Sequence, residues 1–175
     1  SSCSGGFFPG LRCNEADELR FIDAFAQAGI PLDYWWMDAG WYPCDPVGWP
    51  KVGTWEVDKR RFPRGLRAIS DLVHSKGMKT LLWFEPERVA EGSWLANNKP
   101  EWVLGGRKGG LLDLGKPEVL AWVIERVDKI LVEEGIDLYR QDFNMEPLPH
   151  WRRADAEDRQ GITEIRHITH LLAFW

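Results

Sequence analysis

Three apolar runs, "LDYWWMD", "MKTLLWFEPE" and "IDLYRQDFNM", each follow a helix-like stretch that a glycine closes, and each places a carboxylate where its apolar pattern gives out. Strands that alternate with helices pair in parallel through right-handed crossovers, which restricts the fold to an open doubly wound sheet or a TIM barrel. The helix signals are local. Asn14, with Asp17 three residues on, caps a helix that runs to Gly29 and buries Leu19, Ile22, Phe25 and Ala26. A second spans about Pro63 to Lys76, is stopped by Gly77, and turns Leu66, Ile69, Leu72 and Val73 inward. Pro117 opens a third; apolar residues at 120, 123, 124, 127, 130 and 131 fit a helical period, and Gly135 ends it.

The polar residues choose between the two folds. Asp38, Glu85, Glu87 and Asp142 fall at or just past the C-terminal ends of successive strands, where TIM barrels assemble their sites from the loops that follow each strand. A glycine-rich nucleotide fingerprint is missing. "GGRKGG" at 105–110 does not open a helix directly after a strand, and it reads as a loop shaped around Arg107. The expected fold class is α/β, a TIM (β/α)8 barrel. Such barrels need about 250 residues, so residues 1–175 are expected to be a partial catalytic-barrel domain, truncated at both ends, covering about the first four βα units. The first of its strands would end in "SSCS".

Composition excludes several partners. A net charge of −5 with interleaved signs gives no concentrated basic face for nucleic acid, and no run of 18 apolar residues suggests a membrane span. The three cysteines form no CxxC pair and are odd in number, so neither a disulfide framework nor a zinc site is expected; this modestly favours a reducing, cytoplasmic setting. His167 and His170, three apart, read as a helix-surface pair rather than metal ligands.

The eleven tryptophans are the unusual feature. Asp38, Asp142 and Glu85 or Glu87 would share one barrel mouth with Arg107, Arg140, Trp36, Trp41 and Trp83. Acidic groups and guanidinium groups bind hydroxyls, and flat indoles pack on C–H faces, so the set suits a sugar. Retaining glycosidases use two carboxyls about 5–5.5 Å apart, one of them an ionised nucleophile. Arg140 lies two residues before Asp142, on the same side of a strand, and its guanidinium favours the ionised carboxylate. Carboxylates at barrel strand ends also hold Mg²⁺ in lyases and isomerases, and a non-catalytic sugar-binding barrel would present the same groups; both alternatives stand beside the glycosidase reading.

Four stretches in order, "WWMDAGW", "LLWFEPERV", "GRKGGLLDLGKPEV" and "YRQDFN", resemble the signatures of glycoside hydrolase family 36, the melibiase-type α-galactosidases. The resemblance implies retaining hydrolysis of terminal α-linked galactose, on an oligosaccharide or glycoconjugate, with no metal or organic cofactor. Asp142 matches the family's nucleophile. Asp38, Trp41, Trp83, Glu85, Arg107, Arg140 and Asn144 become candidate sugar contacts, Trp83 as a ring that packs on the sugar. Homo-oligomerisation of the full-length protein is left open.

Three departures from the family pattern qualify that expectation. Ala39 stands where a second aspartate is frequent, and Arg140-Gln141 replaces the usual Lys-Trp, exchanging a compact ammonium for a planar fork. These changes bear on which sugar is accepted, with α-N-acetylgalactosaminidase or another α-glycosidase of the same architecture as the alternative. The family's acid/base aspartate lies on a later strand, beyond residue 175, so the 175-residue chain is expected to be inactive alone. "SSCSGG" at 1–6 resembles the motif near that aspartate, yet it precedes the first helix.

Overall fold

The computed structural model describes Ser2, residues 13–44 and residues 51–175. The chain divides into two compact units, one of Ser1–Pro50, Trp55–Phe84 and Asp128–Asp142, the other of Lys51–Thr54, Glu85–Val127 and Phe143–Trp175.

The first unit is built on a parallel sheet of β1 (Tyr34–Met37), β2 (Lys79–Phe84) and β6 (Leu138–Gln141), with β2 in the centre. Ser2 forms a single parallel bridge to Met37 on the outer side of β1. Neighbouring strands follow one another in chain order, with one helical connection between β1 and β2 and a longer excursion through residues 85–137 between β2 and β6. β2 has Thr80, Leu82, Trp83 and Phe84 buried, the near-continuous burial expected of an interior parallel strand.

Helices α1 (Glu15–Gln27) and α2 (Arg67–Ser75) belong to this unit. The Asn14 side chain accepts the Asp17 N–H at 3.0 Å and starts α1 where the sequence places it. α2 begins four residues later than expected from Pro63, because Gly65 adopts φ +77° and interrupts helical geometry ahead of Leu66. The burial of α1 also differs from expectation: Ile22 is buried, but Glu18 takes an inward position, fully buried, with Trp35 Nε1–H donating to its Oε2 at 2.8 Å. Two further pairings tie the N-terminal ends of the strands. Asp137 accepts the Thr80 N–H at 2.7 Å and contacts His74 Nε2 at 2.7 Å, and burial is outweighed there by these partners, which hold its carboxyl below the usual range.

The second unit carries an antiparallel sheet of β3 (Arg88–Ala90), β5 (Gly109–Leu112) and β4 (Val103–Leu104), with β5 central. The "GGRKGG" loop makes it. A Cβ on Gly105, at φ +137°, would lie 1.9 Å from the Gly109 carbonyl oxygen, so only glycine permits this reversal. Around the sheet are α3 (Trp94–Asn98), α5 (Leu148–Ala154) and α6 (Ile162–Phe174). Helix α4 (Pro117–Glu134) starts in this unit, where Trp122 stacks on Trp94 at 5.6 Å and 1°.

Two expectations are corrected here. Cys13 is disulfide-bonded, against the expectation of no disulfide, so the cysteines no longer argue for a reducing compartment. His167 is fully buried with Nε2 2.8 Å from Glu87 Oε1, and His170 Nδ1 contacts the Leu114 carbonyl, so the two histidines are packed into the second unit rather than paired on a helix surface. No described helix is long and apolar enough to cross a membrane.

Candidate active site

β1, β2 and β6 run parallel, so their C-terminal ends share one edge of the sheet, and each is followed at once by an acidic residue: Asp38, Glu85 and Asp142. In the first unit Trp83, Arg140 and Asp142 meet at this edge, Trp41 joins them through the Trp83 carbonyl, and Asp38 stands at the end of β1, across β2 from Asp142. Asp142 is anchored at both levels. Its backbone N–H continues the sheet by donating to the Phe84 carbonyl at 2.8 Å, and its Oδ2 accepts the Trp83 Nε1–H at 3.0 Å. The side chain is 33% exposed, so the carboxylate is both held and reachable.

Arg140 has a guanidinium nitrogen 3.8 Å from Asp142 Oδ2, in keeping with the period-2 argument, and its guanidinium carbon sits 5.0 Å from the centroid of the Trp36 ring. That stacking uses the planar shape that distinguishes arginine from lysine. Asp38 is partly buried, and its Oδ1 accepts the Ala39 N–H at 2.8 Å.

The tryptophans depart from expectation. Trp41 and Trp83 are 0% and 2% exposed, so neither offers a face to solvent. They form an aromatic cluster with Tyr42, Trp55 and Phe84, with ring centroids 5.1–6.5 Å apart. Trp41 Nε1–H donates to the Trp83 carbonyl at 2.9 Å. Behind the cluster, Arg61 donates to the carbonyls of Cys13, Gly40 and Tyr42 and pairs with Asp58 at 3.0 Å, fixing the loop after β1. Burial works against ionisation of Asp58, but hydrogen bonds from Arg60 and Arg61 outweigh it and keep the carboxyl below its usual range.

In the second unit Glu85 is fully buried. Arg88 donates to both of its oxygens, at 2.9 and 2.6 Å, and the Asn144 backbone N–H donates to Oε1 at 2.6 Å. Its carboxylate is therefore engaged by the protein and not presented to a sugar, a correction to its expected role. Arg107 is exposed and donates to the Asn97 carbonyl at 2.8 Å; Asn144 is exposed too. This unit also holds a polar cleft of about 230 Å³ lined by Asp113, Lys116, Asp155, Arg159, Thr163 and Arg166, among others, which none of the expected site residues lines.

The model of the melibiase family matches residues 11–173, a span that contains every residue named above from Cys13 to Arg166. The chain belongs to the melibiase family. Among curated melibiase-like relatives, α-galactosidase 1 of Pediococcus pentosaceus is 29% identical over 163 residues and α-galactosidase Mel36A of Lactobacillus acidophilus 32%, each covering 89% of this chain. The chain spans 22% of the length of either relative. Of solved structures, an α-galactosidase from Lactobacillus brevis matches with a TM-score of 0.80 and 27% identity over 93% of this chain and 23% of its own. A variant of AgaA from Geobacillus stearothermophilus in complex with raffinose matches with a TM-score of 0.79 and 26% identity over the same shares.

Within this melibiase chain, the features that the sequence reading missed are the supporting ones: Arg61, Asp58, Arg88 and the inward Glu18. Their signal in the sequence is faint: Asp58 and Arg88 pair with residues only three positions away, a spacing that says nothing of burial, while Glu18 and Arg61 also reach partners on other segments. Arg61 and Gly40 are 21 positions apart, and Trp35 and Glu18 are 17.

Proposed function

We propose that the full-length protein carrying this chain is a retaining α-galactosidase built on a TIM barrel, with Asp142 as the nucleophile. The observation that carries this reading is the placement of Asp142: one residue past the end of β6, anchored by Trp83, 3.8 Å from Arg140, and still one-third exposed. Family membership and relatives named as α-galactosidases support the choice of sugar.

In the first step the Asp142 carboxylate attacks the anomeric carbon of a terminal α-linked galactose while an acid protonates the departing oxygen; in the second, water activated by the same acid/base group cleaves the glycosyl ester and restores Asp142. The acid/base group is expected beyond residue 175, so this chain supplies the nucleophile. Asp38 and Arg140, at the same sheet edge, are assigned to galactose hydroxyls; Arg107 and Asn144 are assigned to the sugar by the family resemblance alone. The substrate is an α-galactoside oligosaccharide or glycoconjugate. Ala39, in place of a second acid beside Asp38, is the observation that favours α-N-acetylgalactosaminide as the second reading.

Hydrolysis of aryl α-galactoside, α-N-acetylgalactosaminide and α-glucoside by the full-length protein tests this, with Asp142→Asn alongside. Turnover of the galactoside that falls by roughly 1,000-fold or more in the variant supports the proposal. Turnover that survives in Asp142→Asn, or none of the three sugars, contradicts it.

A further inference from the structure

We infer that Trp83 is a positioning residue for Asp142 rather than a platform for the sugar; the inference rests on the assignment of Asp142 as nucleophile. An indole that packs against a pyranose must show it a face, and Trp83 is 2% exposed, with Tyr42 stacked at 6.3 Å and 24° and Trp55 tilted at 6.5 Å. Its polar edge is directed elsewhere, and its Nε1–H reaches Asp142 Oδ2 at 3.0 Å.

The rest of the first unit explains why that N–H is immobile. The Trp83 backbone is locked in central β2, opposite Arg140 in the register with β6, and its carbonyl accepts from Trp41. Trp41 and Tyr42 lie on the loop whose carbonyls Arg61 gathers. A carboxylate on a strand terminus retains rotation about its side-chain bonds. A fixed donor on one oxygen removes that freedom and holds the other oxygen's direction as well, since the two are rigidly joined. Attack on an anomeric carbon depends on that direction, and misplacement by about 1 Å costs roughly 100-fold.

Two substitutions in the full-length protein separate the hydrogen bond from the packing. Trp83→Phe keeps a six-membered ring but deletes the donor. Trp83→His deletes the larger part of the ring yet keeps the donor, because imidazole superposes on the five-membered ring of indole with Nε2 at the place of Nε1. The expected result is a crossed order. Trp83→Phe has the higher Tm and loses about 10- to 100-fold in kcat on aryl α-galactoside with KM within about 3-fold of the parent; Trp83→His has the lower Tm and recovers a substantial part of kcat. A sugar platform gives the opposite split, with KM raised and kcat kept in Trp83→Phe, and a purely structural role makes kcat follow Tm; either result overturns the inference. Asp142→Asn, measured in parallel, keeps the two claims apart: if it retains turnover the nucleophile assignment fails, whereas if it is inactive and Trp83→Phe behaves like the parent only the positioning role fails.

Discussion

Replacing Glu18 by glutamine should flatten the pH dependence of stability between about pH 4.5 and 7. Glu18 is fully buried on α1, and burial pushes its carboxyl from 4.5 up to about 7, with the hydrogen bonds from Trp35 and Ser2 acting in the other direction. In the unfolded chain the group releases its proton near 4.5, whereas in the folded chain it retains it until about 7. Between those values the folded state binds the extra proton, so the contribution of Glu18 to stability is greatest below 4.5 and declines as pH rises, by about 1.4 kcal/mol per unit. Over a shift of about 2.5 units the loss comes to about 3 kcal/mol at pH 8, a large part of the total stability of an ordinary domain. Glutamine has nearly the same shape, stays neutral, and can still accept the Trp35 N–H through its carbonyl oxygen. Urea unfolding followed by tryptophan fluorescence at pH 4, 5, 6, 7 and 8 gives the comparison. Glu18→Gln should match the parent at pH 4 and exceed it by about 3 kcal/mol at pH 8. A difference that is constant with pH, or a variant less stable than the parent at pH 8, would refute the reasoning that burial of the ionised carboxylate dominates this site.

Three further outcomes follow from the same contacts. Asp58→Asn should lower stability by about 3–5 kcal/mol, measured by chemical denaturation, because Asp58 is 3% exposed and its loss leaves the Arg61 guanidinium without its carboxylate. Gly65 and Gly77 both have φ +77°, but a Cβ at Gly65 would come within 2.6 Å of Glu134 Oε2 while one at Gly77 meets nothing. Gly77→Ala should therefore cost about 1–2 kcal/mol of backbone strain alone, and Gly65→Ala measurably more, since the displaced Glu134 carboxylate also gives up the Arg67 N–H it accepts at 2.8 Å. In thermal melts the two alanine variants should differ in that order.

The parallel part of the fold was legible because its signals are local. Asn14 as a cap, Gly29, Gly77 and Gly135 as stops, and apolar runs ending at Asp38, Glu85 and Asp142 each sit within a few residues of the structure they specify. The antiparallel sheet was not, because β3 and β4 have three and two residues and their pairing with β5 depends on the reversal at Gly105 rather than on any periodic pattern. Burial of charge was illegible for a related reason. Glu18 and Glu85 look like surface acids until Trp35, Arg88 and the Asn144 N–H are placed against them. Trp83 shows the limit of residue type as a guide: a tryptophan at a strand end suggested a sugar surface, whereas its ring is buried against Tyr42 and Trp55 and its N–H is directed to Asp142.

The central claim, that Asp142 becomes bonded to the sugar, is tested most directly by trapping the covalent intermediate. The full-length protein is incubated with a galactosyl fluoride whose ring carries a further fluorine to slow the second step, quenched in acid, digested, and its peptides sequenced by mass spectrometry. A fluorohexosyl group, formed with loss of the anomeric fluoride, is expected on the peptide that contains "YRQDFN", located at Asp142 and absent from Asp142→Asn. A fluorohexosyl group on another carboxylate, or inactivation with no adduct on any peptide, would contradict the claim.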